Sequence, residues 1–303
     1  MLEPIRDRVV ATTGALFSHA PYPLAQTMEH RGSAGLFGPG SMTWEIVGDA
    51  AAFVGGIRAL LVQSAHPEVL AGVMGHSRYR VDPLGRLSRT SAYVTATAFG
   101  ADVEVEAAVA AVRRAHRGVE GTSHRGRPYA AADPAHAAWV HNVLVDSFLA
   151  AFVAYGPRRL DATEADRFVF EQTRLGALLG AAPLPDTAGA LRRWILEHPD
   201  VAPSPGVADT VGFLRRPPLP RSVRPAYRVL FEAAVATIDP PLRGLLGLRE
   251  RWGAAGAGRT AVRALRWALG ASPSWYLALR RVGAPVPPGR FRMSRVRDLE
   301  RRR

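Results

Sequence analysis

An all-α fold is what this sequence predicts, and three observations carry the expectation. Apolar residues recur at helical spacing through long alanine- and leucine-rich segments. Glycine and proline punctuate those segments at short intervals. No pair of alternating apolar and polar runs is joined by a hairpin turn. The expected architecture is a single globular multi-helix domain over 41–285. An irregular arm at 1–40 precedes it and a basic tail at 286–303 follows it.

Taken in order, the stretch from Gly32 to Gly40 holds four glycines and one proline and reads as a loop. A first helix is expected from Ser41 or Trp44 to Ala65. It stops at His66-Pro67, because the residue before a proline avoids helical backbone angles. Pro67 then opens a helix running to Gly75, at the one position where its missing N–H costs nothing. Asp82-Pro83 and Asp133-Pro134 read as capped starts of helices ending at Phe99 and Tyr155. Asp102 is the expected cap of a helix reaching Val119. Further helices are expected over 161–179, 187–197, 206–213, 225–238, 240–252 and 259–282.

Composition narrows the chemistry. The chain of 303 residues is 48% hydrophobic and 21% charged, which suits a globular protein with a substantial core and excludes collagen-like or disordered classes. There is no cysteine. That excludes disulfide scaffolds, thiolate zinc sites, iron–sulfur clusters, thiolate-ligated haem and a cysteine nucleophile, so a metal must rely on histidine, carboxylate or weaker ligands. The formal charge is +13, yet all 39 basic residues are arginine, scattered from Arg6 to Arg303. A specific nucleic-acid interface concentrates such charge in a patch, so none is expected. The most apolar stretches, Ala50–Ala65 and Val143–Tyr155, fall short of the ~20 residues that span a bilayer. Charges at the N-terminus do not fit a signal peptide. A cytoplasmic protein with no transmembrane segment is the expectation, and nothing specifies an oligomer.

Nine histidines offer candidate sites. Val105, Val109, Val112, His116 and Val119 fall on one helical stripe, away from Arg113, Arg114 and Arg117, so His116 faces the core. It is either a metal ligand or a core histidine bonded to a carbonyl. His141 lies on a similar stripe with Phe148, Phe152 and Tyr155, and is a second ligand, a cofactor hydrogen-bonder or a core histidine. His66, at a helix junction, is open in the same way. Arg86, Arg89 and Thr90 share a helix face at i, i+3 and i+4. Two guanidiniums and a hydroxyl there suit an anionic group, or form a solvated basic face. No HExxH, EF-hand, P-loop, dinucleotide or nucleophile-elbow pattern occurs, and no Glu-x-x-His pair of the di-iron bundles.

Together these segments resemble a known family. Leu61-Val-Gln-Ser-Ala-His66-Pro67, His76-Ser-Arg78-Tyr79, Asp82-Pro-Leu-Gly85-Arg86 and Arg89-Thr90 are similar to the rubber oxygenase (latex-clearing protein) and MpaB-type oxygenase family. Val112-Arg-Arg-Ala-His116-Arg-Gly-Val119, Trp139-Val-His141 and Asp146-Ser-Phe148 continue the likeness, which covers roughly Trp44 to Ile238. The resemblance implies an all-α domain enclosing one b-type haem, with His116 as the axial ligand of the iron. It implies dioxygen chemistry beside Arg86, Arg89 and Thr90, while His141 and His66 stay open between cofactor binding and a core role. Arg89 stands where the rubber-cleaving members carry a lysine. Arginine stays protonated and is a very poor iron ligand, so rubber cleavage itself is not carried over. The expected function is a haem-dependent oxygenase acting on an apolar unsaturated or aromatic small molecule. A haem-binding or gas-sensing protein without turnover is the second reading, and a basic helical binder of nucleic acid or a membrane surface is the third.

Overall fold

The computed structural model describes residues 3–301, with side chains through residue 297. Among them are fifteen α-helices, one 3-10 turn and one two-stranded hairpin, so the all-α expectation holds. The first part of the chain forms α1 (Glu3–Leu16), the 3-10 turn Thr27–Glu29, α2 (Met42–Gly48), α3 (Ala52–Gln63), α4 (Pro67–His76), α5 (Pro83–Phe99) and α6 (Asp102–His116). The hairpin β1 (Glu120–Thr122) and β2 (Pro128–Ala130) follows, then α7 (Pro134–Tyr155), α8 (Ala162–Leu178), α9 (Ala188–Leu196) and α10 (Pro205–Arg215). The last helices are α11 (Arg224–Ala236), α12 (Pro240–Leu245), α13 (Ala254–Leu269), α14 (Pro273–Val282) and α15 (Met293–Arg301).

The chain divides into two compact units. One holds the residues up to Ala50, Arg78–Ala111 and the residues from Val262 on; the other holds Ala51–Ser77 and Val112–Ala261. In the second, α7 is the central element and packs against α3, α4, α8 and α9. Its Asp133 cap accepts from the Ala135 and His136 amides, as the Asp-Pro signal requires. Trp139, Phe152 and Ala151 on α7 are fully enclosed, and each large apolar side chain so buried contributes ~1.5–3 kcal/mol. Close approach of α3 to α7 depends on Gly55, where a Cβ would lie 2.7 Å from the Phe148 ring and 3.1 Å from its Cα. Gly55→Val is therefore expected to cost about 1–3 kcal/mol by overpacking. A urea midpoint equal to that of the wild type would contradict this.

By length and composition α7 is also the one described helix able to cross a membrane, but 67% of its most apolar window is buried inside the protein. That is the condition of a core helix.

In the first unit, α14 packs on α2, α5, α15 and the 3-10 turn, and α1 packs on α5. Trp44, Phe99, Trp275, Ala278 and Leu279 form its core.

Several expected boundaries are corrected. The helix expected from Ser41 to Ala65 breaks after Gly48, because Asp49 turns extended and its carboxylate takes both Arg266 contacts at 2.7 Å. The Gly48 carbonyl accepts from the Ser272 amide at 2.9 Å. The helix expected over 259–282 is two, separated at Gly270, which adopts φ +65, and restarted by the Ser272 cap. The helix expected over 240–252 ends at Leu245, where Gly247 turns to φ +63. The strand-free expectation is qualified by the short β1–β2 hairpin. The arm expected to be irregular carries α1, which Pro4 opens and a Glu3–Arg6 pair at 2.7 Å supports. Within the basic tail, 293–301 is helical and Val296 is buried against Tyr276 and Leu277. Arg302 and Arg303 lie outside the described residues.

Candidate functional site

His116 occupies the last turn of α6. The expected stripe holds as far as the helix does: Val105 and Val109 are buried and Arg113 and Arg114 exposed, but α6 ends at His116, short of the expected Val119. Burial fades toward the helix end, so Val112 and His116 are half-buried instead of sealed in the core. Desolvation lowers the His116 pKa below its ordinary value, and no hydrogen bond to its ring forms among the described residues. It is thus a neutral imidazole at neutral pH, with a nitrogen lone pair unclaimed.

Arg86, Arg89 and Thr90 lie on α5 as the spacing required, but their environments differ. Asp82 caps the helix through Oδ1, which accepts from the Gly85 amide at 3.0 Å. Its other oxygen accepts from Arg89 Nη1 at 3.1 Å, and the Arg89 side chain is 56% exposed. Thr90 is exposed as well. Arg86 is the desolvated member: burial lowers its pKa, and the neighbouring Arg89 charge adds to the effect. Two turns farther along, Tyr93 has its phenol pushed up by burial. Nothing in the spacing singled it out.

His141 is buried in α7, with Nε2 donating to the Gln172 carbonyl at 2.9 Å. That is the arrangement of an ordinary core histidine. Burial pushes its pKa down to about 4 against the opposing effect of the Gln172 bond. The unfolded chain therefore takes up a proton as pH falls from 6.5 toward 4, and the folded chain does not. Stability is full above pH 6.5 and declines across that window, by roughly 3 kcal/mol for this residue at ~1.4 kcal/mol per pKa unit. His141→Gln keeps an N–H for Gln172 and is expected to lose less stability between pH 7 and pH 4 than the wild type. Urea midpoints at the two pH values check this, and equal acid sensitivity in both proteins would contradict it.

His66 sits in a histidine-rich cluster. Pro67 holds it extended at the head of α4, where it is only 2% exposed. The rings of His136 and His198 lie 5.4 Å away and that of Trp139 5.5 Å. His66 Nδ1 is 3.4 Å from a Glu68 carboxylate oxygen but forms no hydrogen bond. Burial, reinforced by the two neighbouring imidazoles, pushes its pKa down to about 4. Glu68 is held by Ser123 Oγ at 2.8 Å and by Arg125. Burial alone would raise the Glu68 pKa, yet those two donors bring it to about 2. Donor atoms of His66, His198 and Asp200 all lie within 4.8 Å of one another. His198 and Asp200 were not legible as site residues, because the signal is a contact across the chain and not a local spacing.

A cleft of about 260 Å³ is lined by Arg58, Asp146, Arg192, Thr237, Asp239 and Arg243. Arg58 is already engaged with Asp146 at 2.6 Å and Ser147 at 2.8 Å, Arg192 with Asp239 and Arg243 with Glu250. Its cations are neutralised within the protein.

Comparison with known proteins agrees with the sequence resemblance. No curated protein and no solved structure matches the chain. Residues 44–271 match the family described as "ER-bound oxygenase mpaB/B'/Rubber oxygenase, catalytic domain". That match covers most of the chain, including α4, α5, α6 and α7 with their histidines and arginines, and the protein belongs to this oxygenase family.

Proposed function

We propose that this protein is a haem b-dependent oxygenase in which His116 holds the iron. Family membership supports the reaction class. The observation that carries the ligand assignment is the state of His116, a desolvated imidazole with no hydrogen-bond partner among the described residues. A ligand that is already neutral has no proton to release on binding. The donor set fits the group: the chain has no cysteine to compete, and His141 Nε2 is committed to Gln172. When bound, haem supplies a redox-active iron for the activation of dioxygen toward an apolar unsaturated or aromatic molecule.

The protein's own part is binding and electrostatics. Arg86, half-buried on α5 and desolvated enough for its pKa to fall, offers a cation of the kind that a haem carboxylate or charge developing in the reaction would call for. Arg89 offers a second one, exposed and paired with Asp82. Thr90 offers a hydroxyl donor or acceptor on the same helix.

Dioxygen uptake by the haem-loaded protein, measured with a panel of alkenes and phenols, tests the reading. Uptake coupled to an oxygenated product is the expected result. Haem bound without uptake across the panel transfers the protein to the gas-sensing reading, and failure to bind haem overturns the proposal.

A further inference from the structure

The His66 cluster has the composition of a second metal centre. His66, His198 and Asp200 present two imidazole nitrogens and a carboxylate oxygen within 4.8 Å of one another. Tetrahedral zinc needs such donors ~3.3–3.5 Å apart, so modest side-chain rotations close the set. A second observation points to a missing partner: His66 Nδ1 is buried and has no hydrogen bond. Such an atom costs free energy unless something satisfies it.

The surroundings are those of ligands already aimed. Asp200 receives Arg127 at 2.5 Å and Arg125 at 3.8 Å, both on Oδ1, which fixes the carboxylate and leaves Oδ2 outside those contacts. Glu68 Oε2 stands 3.4 Å from His66 Nδ1 without hydrogen-bonding it, so a cation held there would meet a second carboxylate. Trp194 and Trp139 pack on the His198 ring at 4.7 and 5.0 Å. His198 Nδ1 accepts the Asp200 amide at 3.2 Å, a long bond that coordination through that nitrogen would replace.

We infer that His66, His198 and Asp200 form a binding site for a divalent first-row transition metal, zinc above all, separate from the proposed haem. Two nitrogens and one oxygen without thiolate suit zinc and leave room for water or a further ligand. The metal would tie the loop after α9 to the α3–α4 junction, where Ala202 N already donates to Ala65 O at 3.2 Å. None of the donors is His116, so the inference stands or falls apart from the haem.

The test is titration of chelator-treated, tag-free full-length protein with zinc by calorimetry and with cobalt(II) by visible absorption, which reports four-coordinate geometry. One equivalent is expected to bind with a cobalt d–d band, and zinc is expected to raise the thermal midpoint. His66→Ala empties a buried position and risks misfolding. Asp200→Asn and His198→Gln change half-buried residues and serve as the decisive variants, each expected to weaken affinity at least ~10-fold. Absence of saturable binding by the folded wild type, or wild-type affinity in both variants, overturns the inference.

Discussion

Arg281→Met is expected to destabilise the protein by about 3–5 kcal/mol, the range for removing one member of a buried, charged hydrogen-bond network. The Arg281 side chain is fully enclosed. Its Nε donates to the Ser33 carbonyl at 2.8 Å, and Nη1 donates to Thr27 Oγ1 at 2.6 Å and the Phe99 carbonyl at 2.7 Å. Nη2 reaches the Gly100 carbonyl at 3.1 Å, and Glu104 balances the charge from 3.8 Å. One guanidinium therefore fastens the glycine loop, the 3-10 turn and the α5–α6 junction to α14. The same junction explains Gly35, at φ +66, where a Cβ would collide with the Gly100 carbonyl at 1.9 Å. Methionine preserves the aliphatic stem but leaves these buried acceptors without their charged donor. Arg281→Lys keeps the charge without the planar fork and is expected to fall between the two. Urea unfolding checks the ranking. A loss under 1 kcal/mol in Arg281→Met would show that the network is not what holds this unit together.

His116→Ala is expected to abolish haem retention while barely altering the fold. The two effects separate because the residue is half-buried and its ring makes no hydrogen bond among the described residues, so removing the ring leaves no orphan and only a small void. Unfolding free energies of the haem-free proteins in urea should agree within about 0.5 kcal/mol. Exogenous imidazole should restore haem binding to the variant by supplying the lost donor. Loss of folding along with haem would instead mark His116 as a structural histidine.

The parts of this molecule that were legible in its sequence are those fixed by neighbouring residues. Asp82-Pro83 and Asp133-Pro134 start helices because cap and proline act within one turn. His116 lies on its valine stripe for the same local reason. Breaks imposed from afar were not legible: nothing near Asp49 announces Arg266, and nothing near Gly48 announces Ser272. Arg281 is one of 39 arginines, and its sequence neighbour Arg280 is exposed. Only the three-dimensional meeting of Thr27, Ser33, Phe99 and Gly100 distinguishes the two. His66 likewise shows its junction in the sequence but not His198 and Asp200, which arrive from the far side of α9.

The central claim is that a histidine on α6 holds a haem iron, and an absorption-monitored titration of the purified protein with haem tests it most directly. The account predicts a Soret band that saturates at one equivalent in the wild type and is lost in His116→Ala. A wild type that gives no saturating band, or a His116→Ala variant that keeps the band unchanged, would contradict it.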